Sequence, residues 1–523
     1  MAQVPAAARP RGRHRSLLLR SSLAILAVAL LLGGALPYVA GPGRAYLSYL
    51  VLADRLDAQG TASAEEQVRT AGGRVVQGYP QIGVVLAYAA DGGFAARLRG
   101  RPGIVAVGAS RTAAVPGPPG ALSGAGDFHS SASGAVHPPA AGAAPGAGGP
   151  HRPAADSGET DSTPTVPDPA ESGAWNLAMM GVPVPAQSAV TLLGAPAAAG
   201  PGPAEAALHR VLVAVLDSGV DDTHPDLREA VSPGDSVSCA DGRPDARFGA
   251  WRPDDGVTES GHGTHVAGII GAARDGRGVT GVAPGVRIAA VRLLGPLGQY
   301  YPENIVCGLL WAADHGAVAV NDSYFADPWK YNCPEDADQG AIILAVGRAV
   351  AYAQHHGALV VASAGNDGQD LGQPRTDQRS PNDRLTGAAQ DRRLGTECLR
   401  LPGELPGVVT VSAVTRNGAI ASYSNVGDGR ITLAAPGGDP DGGVREAIVS
   451  DWPGGRYAAL AGTSMSAAHV TGAIAVAAAG HPGWGPDRLR ALLLAQAQAN
   501  CPVGPGLCRE NRLYGAGIVA LPH

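Results

Sequence analysis

Between Ala45 and Val115, short apolar runs alternate with amphipathic stretches. SYLVLA, GRVVQGY, IGVVLAYA and GIVAVGA read as strands, with SAEEQVRTAG and GGFAARLRG as helices between them. The order strand-helix-strand-strand-helix-strand predicts a small α+β unit of the split βαβ, ferredoxin-like kind over 45–115. From Pro116 the periodicity is lost, and Pro, Ala, Gly and Ser dominate to Pro169. A disordered linker open to proteolytic cutting is expected over 116–170. Over 171–523 longer apolar runs return as VLVAVLD, VRIAAVRLL, AVAVNDS, ALVVASAG and VVTVSA, separated by helical stretches such as ENIVCGLLWAADHG and QGAIILAVGRAVAYAQHH. Runs that are apolar at successive positions, without alternation, are covered on both faces. With helices between them they predict a doubly wound parallel α/β sheet. Functional groups in such sheets gather at the carboxyl ends of the strands. Asp217 stands there, directly after VLVAVL, and Asn366 lies just past the strand of ALVVASAG.

Composition adjusts this picture in three ways. With 75 Gly and 43 Pro in 523 residues, one large domain with accessories fits better than a single packed core. A net charge of -6 gives no reason to expect a nucleic-acid partner, which wants a basic face. Near the amino end, Arg9, Arg11, Arg13, Arg15 and Arg20 precede an apolar run from Ser21 to Leu36 and then Pro37. That is the layout of a secretory signal over 1–40. The run is shorter than the roughly 20 residues a spanning helix needs. Extended to Ala40, it leaves a retained anchor in the cell membrane as the second reading. In either reading the positive flank stays inside and the remainder is exported. The six Cys all lie beyond this segment and form no CxxC pair, so disulfides are expected rather than zinc. Cys501 and Cys508, flanking a loop with Pro and Gly, are the expected pair.

Three segments then set the chemistry. AVLDSGV carries Asp217, GHGTHVAG carries His262 and AGTSMSAAHV carries Ser464. These residue types form a nucleophilic device: the Ser464 hydroxyl attacks, His262 takes its proton, and Asp217 orients and charge-balances the imidazole. His262 and Ser464 each open a predicted helix, where backbone N–H groups and the positive dipole end favour developing negative charge. The Ser464 N–H supplies one donor of an oxyanion hole and the Asn366 amide the other. Each residue alone has an ordinary explanation, as turn former, surface imidazole or helix cap. Four matching contexts in one chain do not. His265, three residues after His262, makes an HxxH pair, but the carboxylate of an HExxH metal motif is missing. The GxSxG elbow of α/β-hydrolases is absent too, since Ser466 stands at its second Gly and both acid and His precede Ser464.

DSGVDDTHPDL, GHGTHVAGII and GTSMSAAHV resemble the aspartate, histidine and serine signatures of subtilisin-like serine proteases, the subtilases of peptidase family S8. GVAPGVRI, SYSNVG and LAAPGG are similar to further segments of that family. The resemblance spans 171–520 and implies the subtilisin type of α/β sheet, with Asp217, His262, Ser464 and Asn366 at the triad and oxyanion positions. It implies a secreted endopeptidase acting on protein or peptide substrates through an acyl-enzyme, with no cofactor in the chemistry. The unit at 45–115 resembles the family's inhibitory propeptide, which implies an intramolecular inhibitor and folding aid. Asp226 and Asp275 fall near positions that hold a structural calcium in relatives, without fixing a ligand set. Two departures stand out. Ala468 precedes His469 where the family has Pro, and Ser323, Tyr324, Phe325 replaces Ser, Leu, Gly, so a reshaped, narrower substrate pocket is expected. Two rival readings accompany this one: a membrane-anchored processing protease of narrow specificity, and a catalytically silent scaffold.

Overall fold

The computed structural model describes residues 45–116, 165–166, 174–182, 203–257, 260–295, 298–383, 389–500 and 510–521. The signal or anchor segment, most of the expected linker, and Cys501 with Cys508 lie outside these residues. Among the described residues no helix is long and apolar enough to cross a membrane.

The amino-terminal unit follows the order read from its sequence. Strand β1 (Ala45–Ala53) leads to helix α1 (Ala58–Thr70), β2 (Arg74–Tyr79), β3 (Val84–Ala89), α2 (Phe94–Leu98) and β4 (Ile104–Ala109). The antiparallel order is β2-β3-β1-β4, with Leu50 opposite Leu86 and Val51 opposite Val107. Strand alternation divides the side chains of β1 between two cores. Tyr49, Val51 and Ala53 pack with Val68, Phe94 and Leu98 under the unit's own helices. Leu50 and Leu52 turn the other way and share a core with Ile342, Ala345 and Ala349 of the large domain.

Of the expected linker, Thr165–Val166 is described as strand β5. The large domain then runs β6 (Leu212–Asp217), β7 (Val237–Ser238), α3 (His262–Gly271), β8 (Arg287–Arg292), α4 (Pro302–Asp314), β9 (Ala319–Asp322), α5 (Ala337–His355), β10 (Leu359–Ser363), β11 (Val409–Val414), β12 (Leu433–Pro436), the hairpin β13 (Ile448–Trp452) and β14 (Arg456–Leu460), α6 (Thr463–Gly480) and α7 (Pro486–Ala499). Seven strands form a parallel sheet in the order β12-β11-β10-β9-β6-β8-β7. Strand β5 pairs antiparallel with Tyr457 and Ala458 of β14.

Continuous apolarity in β6 has the predicted cause. Val213 and Val215 enter one core with Val266, Ile270 and Ala473 of α3 and α6. Leu212, Ala214 and Leu216 enter the other with Ile305, Leu309 and Ile342 of α4 and α5. The amino-terminal unit therefore rests on the α4/α5 face. Gly108 of β4 permits the approach, since a Cβ there would lie 2.6 Å from the Asp338 carbonyl oxygen and 2.7 Å from Ala341 Cβ.

Two disulfides brace the large domain, Cys239–Cys307 and Cys333–Cys398. The first joins the segment after β7 to α4, and the second joins the turn before α5 to a loop ahead of β11.

Candidate active site

Asp217 is the last residue of β6 and has no exposed surface. Its Oδ1 lies 2.8 Å and its Oδ2 3.0 Å from His262 Nδ1. The Ser218 N–H donates to the same Oδ1 at 2.7 Å, and the Tyr300 hydroxyl does so at 3.3 Å. A carboxylate accepts only, so His262 donates from Nδ1, which in the neutral ring puts the lone pair on Nε2. Ser218 ties the two elements together, donating to the Ser260 carbonyl at 2.8 Å and accepting from the Gly263 N–H at 2.9 Å. A side chain at Gly263 could not be placed, because its Cβ would stand 2.4 Å from the Gly219 carbonyl oxygen and 3.0 Å from Asp217 Cβ. The glycine after His262 thus lets the start of α3 close onto the end of β6.

Ser464 is the second residue of α6 and is 7% exposed. Its backbone N–H belongs to the helix's first turn, where no intrahelical acceptor exists. The side chain donates to the Ser323 carbonyl at 3.2 Å, and the Ser323 hydroxyl returns a bond of 3.2 Å to the Ser464 carbonyl. This exchange fixes the end of β9 against the start of α6. Asn366, just past β10, accepts through Oδ1 from the Thr463 N–H at 2.9 Å and the Thr463 hydroxyl at 2.8 Å. Both donors sit beside Ser464 and set the sense of the amide, with the oxygen toward Thr463 and the NH2 turned away from it. That is the orientation a donor to an oxyanion needs. Replacing Asn366 by Ala is expected to cut kcat about a hundredfold to a thousandfold with KM nearly unchanged. Steady-state hydrolysis of a peptide substrate by the matured variant checks this, and an unaltered kcat would remove Asn366 from the site.

The remaining residues singled out from sequence take structural places. His265 does not pair with His262 as a metal motif: its Nε2 donates to the Ile448 and Ala458 carbonyls, 3.2 Å from each. Burial pushes its imidazole down to about 3, so it is a neutral tie from α3 to the β13/β14 hairpin. His469 is neutral for the same reason, pushed down by burial to about 4, with Nδ1 donating to the Met465 carbonyl at 2.7 Å and Nε2 2.8 Å from Asn176 Nδ2. Ala468 ahead of it is buried within the helix. Phe325 is buried, with the Arg400 guanidinium 5.4 Å and the Lys330 ammonium 5.8 Å from its ring centre. Lys330 pairs with Asp367, the neighbour of Asn366. Asp226 is buried, whereas Asp275 sits on an exposed turn and accepts from the Arg277 N–H at 3.1 Å.

Several participants gave little sequence signal. Asp322 closes β9 with no exposed surface and accepts from the Tyr324 hydroxyl at 2.7 Å. The Tyr324 ring stacks on Tyr300 at 4.9 Å, which in turn bonds Asp217. Burial first, and the Asp217 charge after it, push the Asp322 carboxyl up to about 7. The one sequence clue was an acid closing the apolar run AVAVN.

A parallel sheet with Asp, His and Ser at one strand end and two helix starts defines the class of serine peptidases with the subtilisin order. Residues 209–517 match the model of the subtilase family, Peptidase S8. The chain is 30% identical to Subtilisin BL of Lederbergia lenta over 309 residues, covering 59% of this chain and 88% of the relative. It is 32% identical to fervidolysin of Fervidobacterium pennivorans over 311 residues, 55% of this chain and 37% of that longer protein. The crystal structure of an epidermin leader peptide processing serine protease from Staphylococcus aureus superposes with a TM-score of 0.59 at 19% identity, covering 91% of this chain and 96% of the other. The chain belongs to the subtilase family.

Proposed function

We propose that this chain is an exported serine endopeptidase held latent by its own residues 45–115. The observation that carries the catalytic reading is the buried Asp217 carboxylate receiving the His262 Nδ1–H at 2.8 Å, which leaves Nε2 as the base. In the reaction the Ser464 hydroxyl leaves the Ser323 carbonyl, gives its proton to Nε2 and attacks the scissile carbonyl carbon. The negative oxygen that forms is met by the Ser464 N–H and the Asn366 amide. His262 then returns the proton to the leaving amine, and water repeats the sequence on the acyl-enzyme. Phe325, bulky where relatives carry Gly, supports a narrowed substrate pocket.

Latency is supported by what the amino-terminal unit touches. Arg99 Nη2 and the Ala109 N–H both reach Asp338 Oδ1 in the first turn of α5, at 2.6 and 3.0 Å. Ser48 and Arg111 converge on the buried Glu303 of α4 at 3.0 and 2.7 Å. The Thr112 and Ala113 N–H groups donate to Asp383 at 2.7 and 3.0 Å. Going the other way, Arg348 of α5 donates to the carbonyls of Ile82 and Ala53 at 3.0 and 2.9 Å. Export is supported by the basic and apolar amino terminus and by the two disulfides.

A fluorophosphonate probe tests the reading. Labelling should be weak in the full chain, strong once 45–115 is cut away, and absent from Ser464→Ala under both conditions. No labelling of the matured wild type would favour the silent scaffold. Equal labelling before and after the cut would remove latency while leaving catalysis.

A further inference from the structure

The segment leaving Asp217 and the hairpin leading to Ser464 meet at a buried cluster that takes no part in the triad. His224 and Asp226 come from the first, and Asp451 comes from β13 of the second. They are 0%, 4% and 0% exposed. One donor atom of each lies within 4.8 Å of the other two.

The hydrogen bonds fix what each group offers. His224 Nε2 is 3.0 Å from the Arg456 carbonyl, which only accepts, so Nε2 carries the proton. Nδ1 is then a lone pair; it accepts the Asp226 N–H at 3.3 Å and stands 3.6 Å from Asp451 Oδ1. Asp226 Oδ2 accepts from the Val279 N–H at 3.1 Å and the Tyr457 hydroxyl at 3.3 Å. Both oxygens of Asp451 are buried, and no neighbouring N–H or O–H reaches either of them. The cluster thus assembles two carboxylates and an imidazole lone pair where water does not reach. A buried carboxylate without donors is retained only beside a cation or a proton; a proton would serve Asp451 alone, whereas one cation would draw on all three side chains at once.

We propose that His224, Asp226 and Asp451 bind one divalent transition-metal ion, zinc first among them, clamping the Asp217 segment to the hairpin ahead of Ser464. An imidazole nitrogen with two carboxylate oxygens is a zinc donor set, and the Nε2–H bond to a carbonyl is the outer contact that fixes a metal-binding imidazole. Calcium asks for six to eight oxygens. The cluster at Asp226 offers a nitrogen as well as carboxylate oxygens.

The test uses the full chain carrying Ser464→Ala, which cannot digest itself, stripped with chelator and titrated with zinc chloride. Expected are one retained zinc per chain after gel filtration and a melting temperature raised by several degrees. Cobalt should give visible absorption bands of low-coordinate nitrogen and oxygen ligation. Adding Asp451→Asn or His224→Gln should abolish zinc retention and the thermal shift while near-ultraviolet circular dichroism stays that of the parent. Failure of the parent to retain zinc overturns the proposal. So does equal retention by either variant, or stabilisation by calcium but not zinc. If a variant fails to fold, the parent's cobalt spectrum decides: bands of six-oxygen ligation, or none, overturn the site.

Discussion

Asp217→Asn is expected to lower kcat about ten-thousandfold while leaving KM and the fold largely intact. The reason is the direction of three bonds. The Ser218 N–H and the Tyr300 hydroxyl both aim at Oδ1 and select the amide oxygen for that position. The amide NH2 must then occupy the place of Oδ2, 3.0 Å from His262 Nδ1, with a hydrogen facing the Nδ1–H. The amide oxygen 2.8 Å away still accepts, but the tautomer with Nδ1 as acceptor and the proton on Nε2 now competes, and the charge that balances the imidazolium is lost. Steady-state kinetics on the matured variant, with a thermal melt as control, checks this. A loss below tenfold would mean that Asp217 does not set the tautomer.

The second large effect concerns stability against pH and centres on Asp322. Its carboxyl is raised to about 7 in the folded chain, against roughly 3.9 for an unfolded aspartate. Between these values the folded state holds a proton that the unfolded state has lost. Its contribution is complete below about pH 4 and is lost as pH rises through 7. The difference of about three units corresponds to about 4 kcal/mol. In the Ser464→Ala background, Asp322→Asn should leave the melting temperature near pH 4 almost unchanged and raise it by several degrees at pH 8.5. Parallel melting profiles for the two proteins across that range would show that Asp322 is ionised or solvated throughout.

These two residues mark what the sequence made legible. Asp217 could be found because it ends an unbroken apolar run and is followed by a glycine turn, so its place at a strand end is a local property. His262, Ser464 and Asn366 were equally local, each at a helix start or just past a strand. Asp322 also ends a run, but its meaning depends on β9 lying beside β6, with Tyr300 and Tyr324 arriving from elsewhere. The sheet followed from continuous apolarity. Its outer strands did not, because Val237–Ser238 is only two residues long and Leu433–Pro436 ends in proline. The hairpin of β13 and β14, which carries Asp451, has no such signature, because its polar residues interrupt the alternation. The disulfides were hidden too, since bridges across separations of 68 and 65 residues leave no local trace. The Cys501 and Cys508 pairing lies outside the described residues.

The placement of the amino-terminal unit has a genetic consequence. It rests on the helices of one face, whereas His262 and Ser464 open the helices of the other. Under the latency reading, a screen for premature activity should therefore return lesions at Asp338, Glu303 or Arg348, and a screen for lost turnover a different set. Tyr300 is where the two sets should intersect, because it sits at the approach to α4 and also bonds Asp217. Substitutions there should be recovered in both screens.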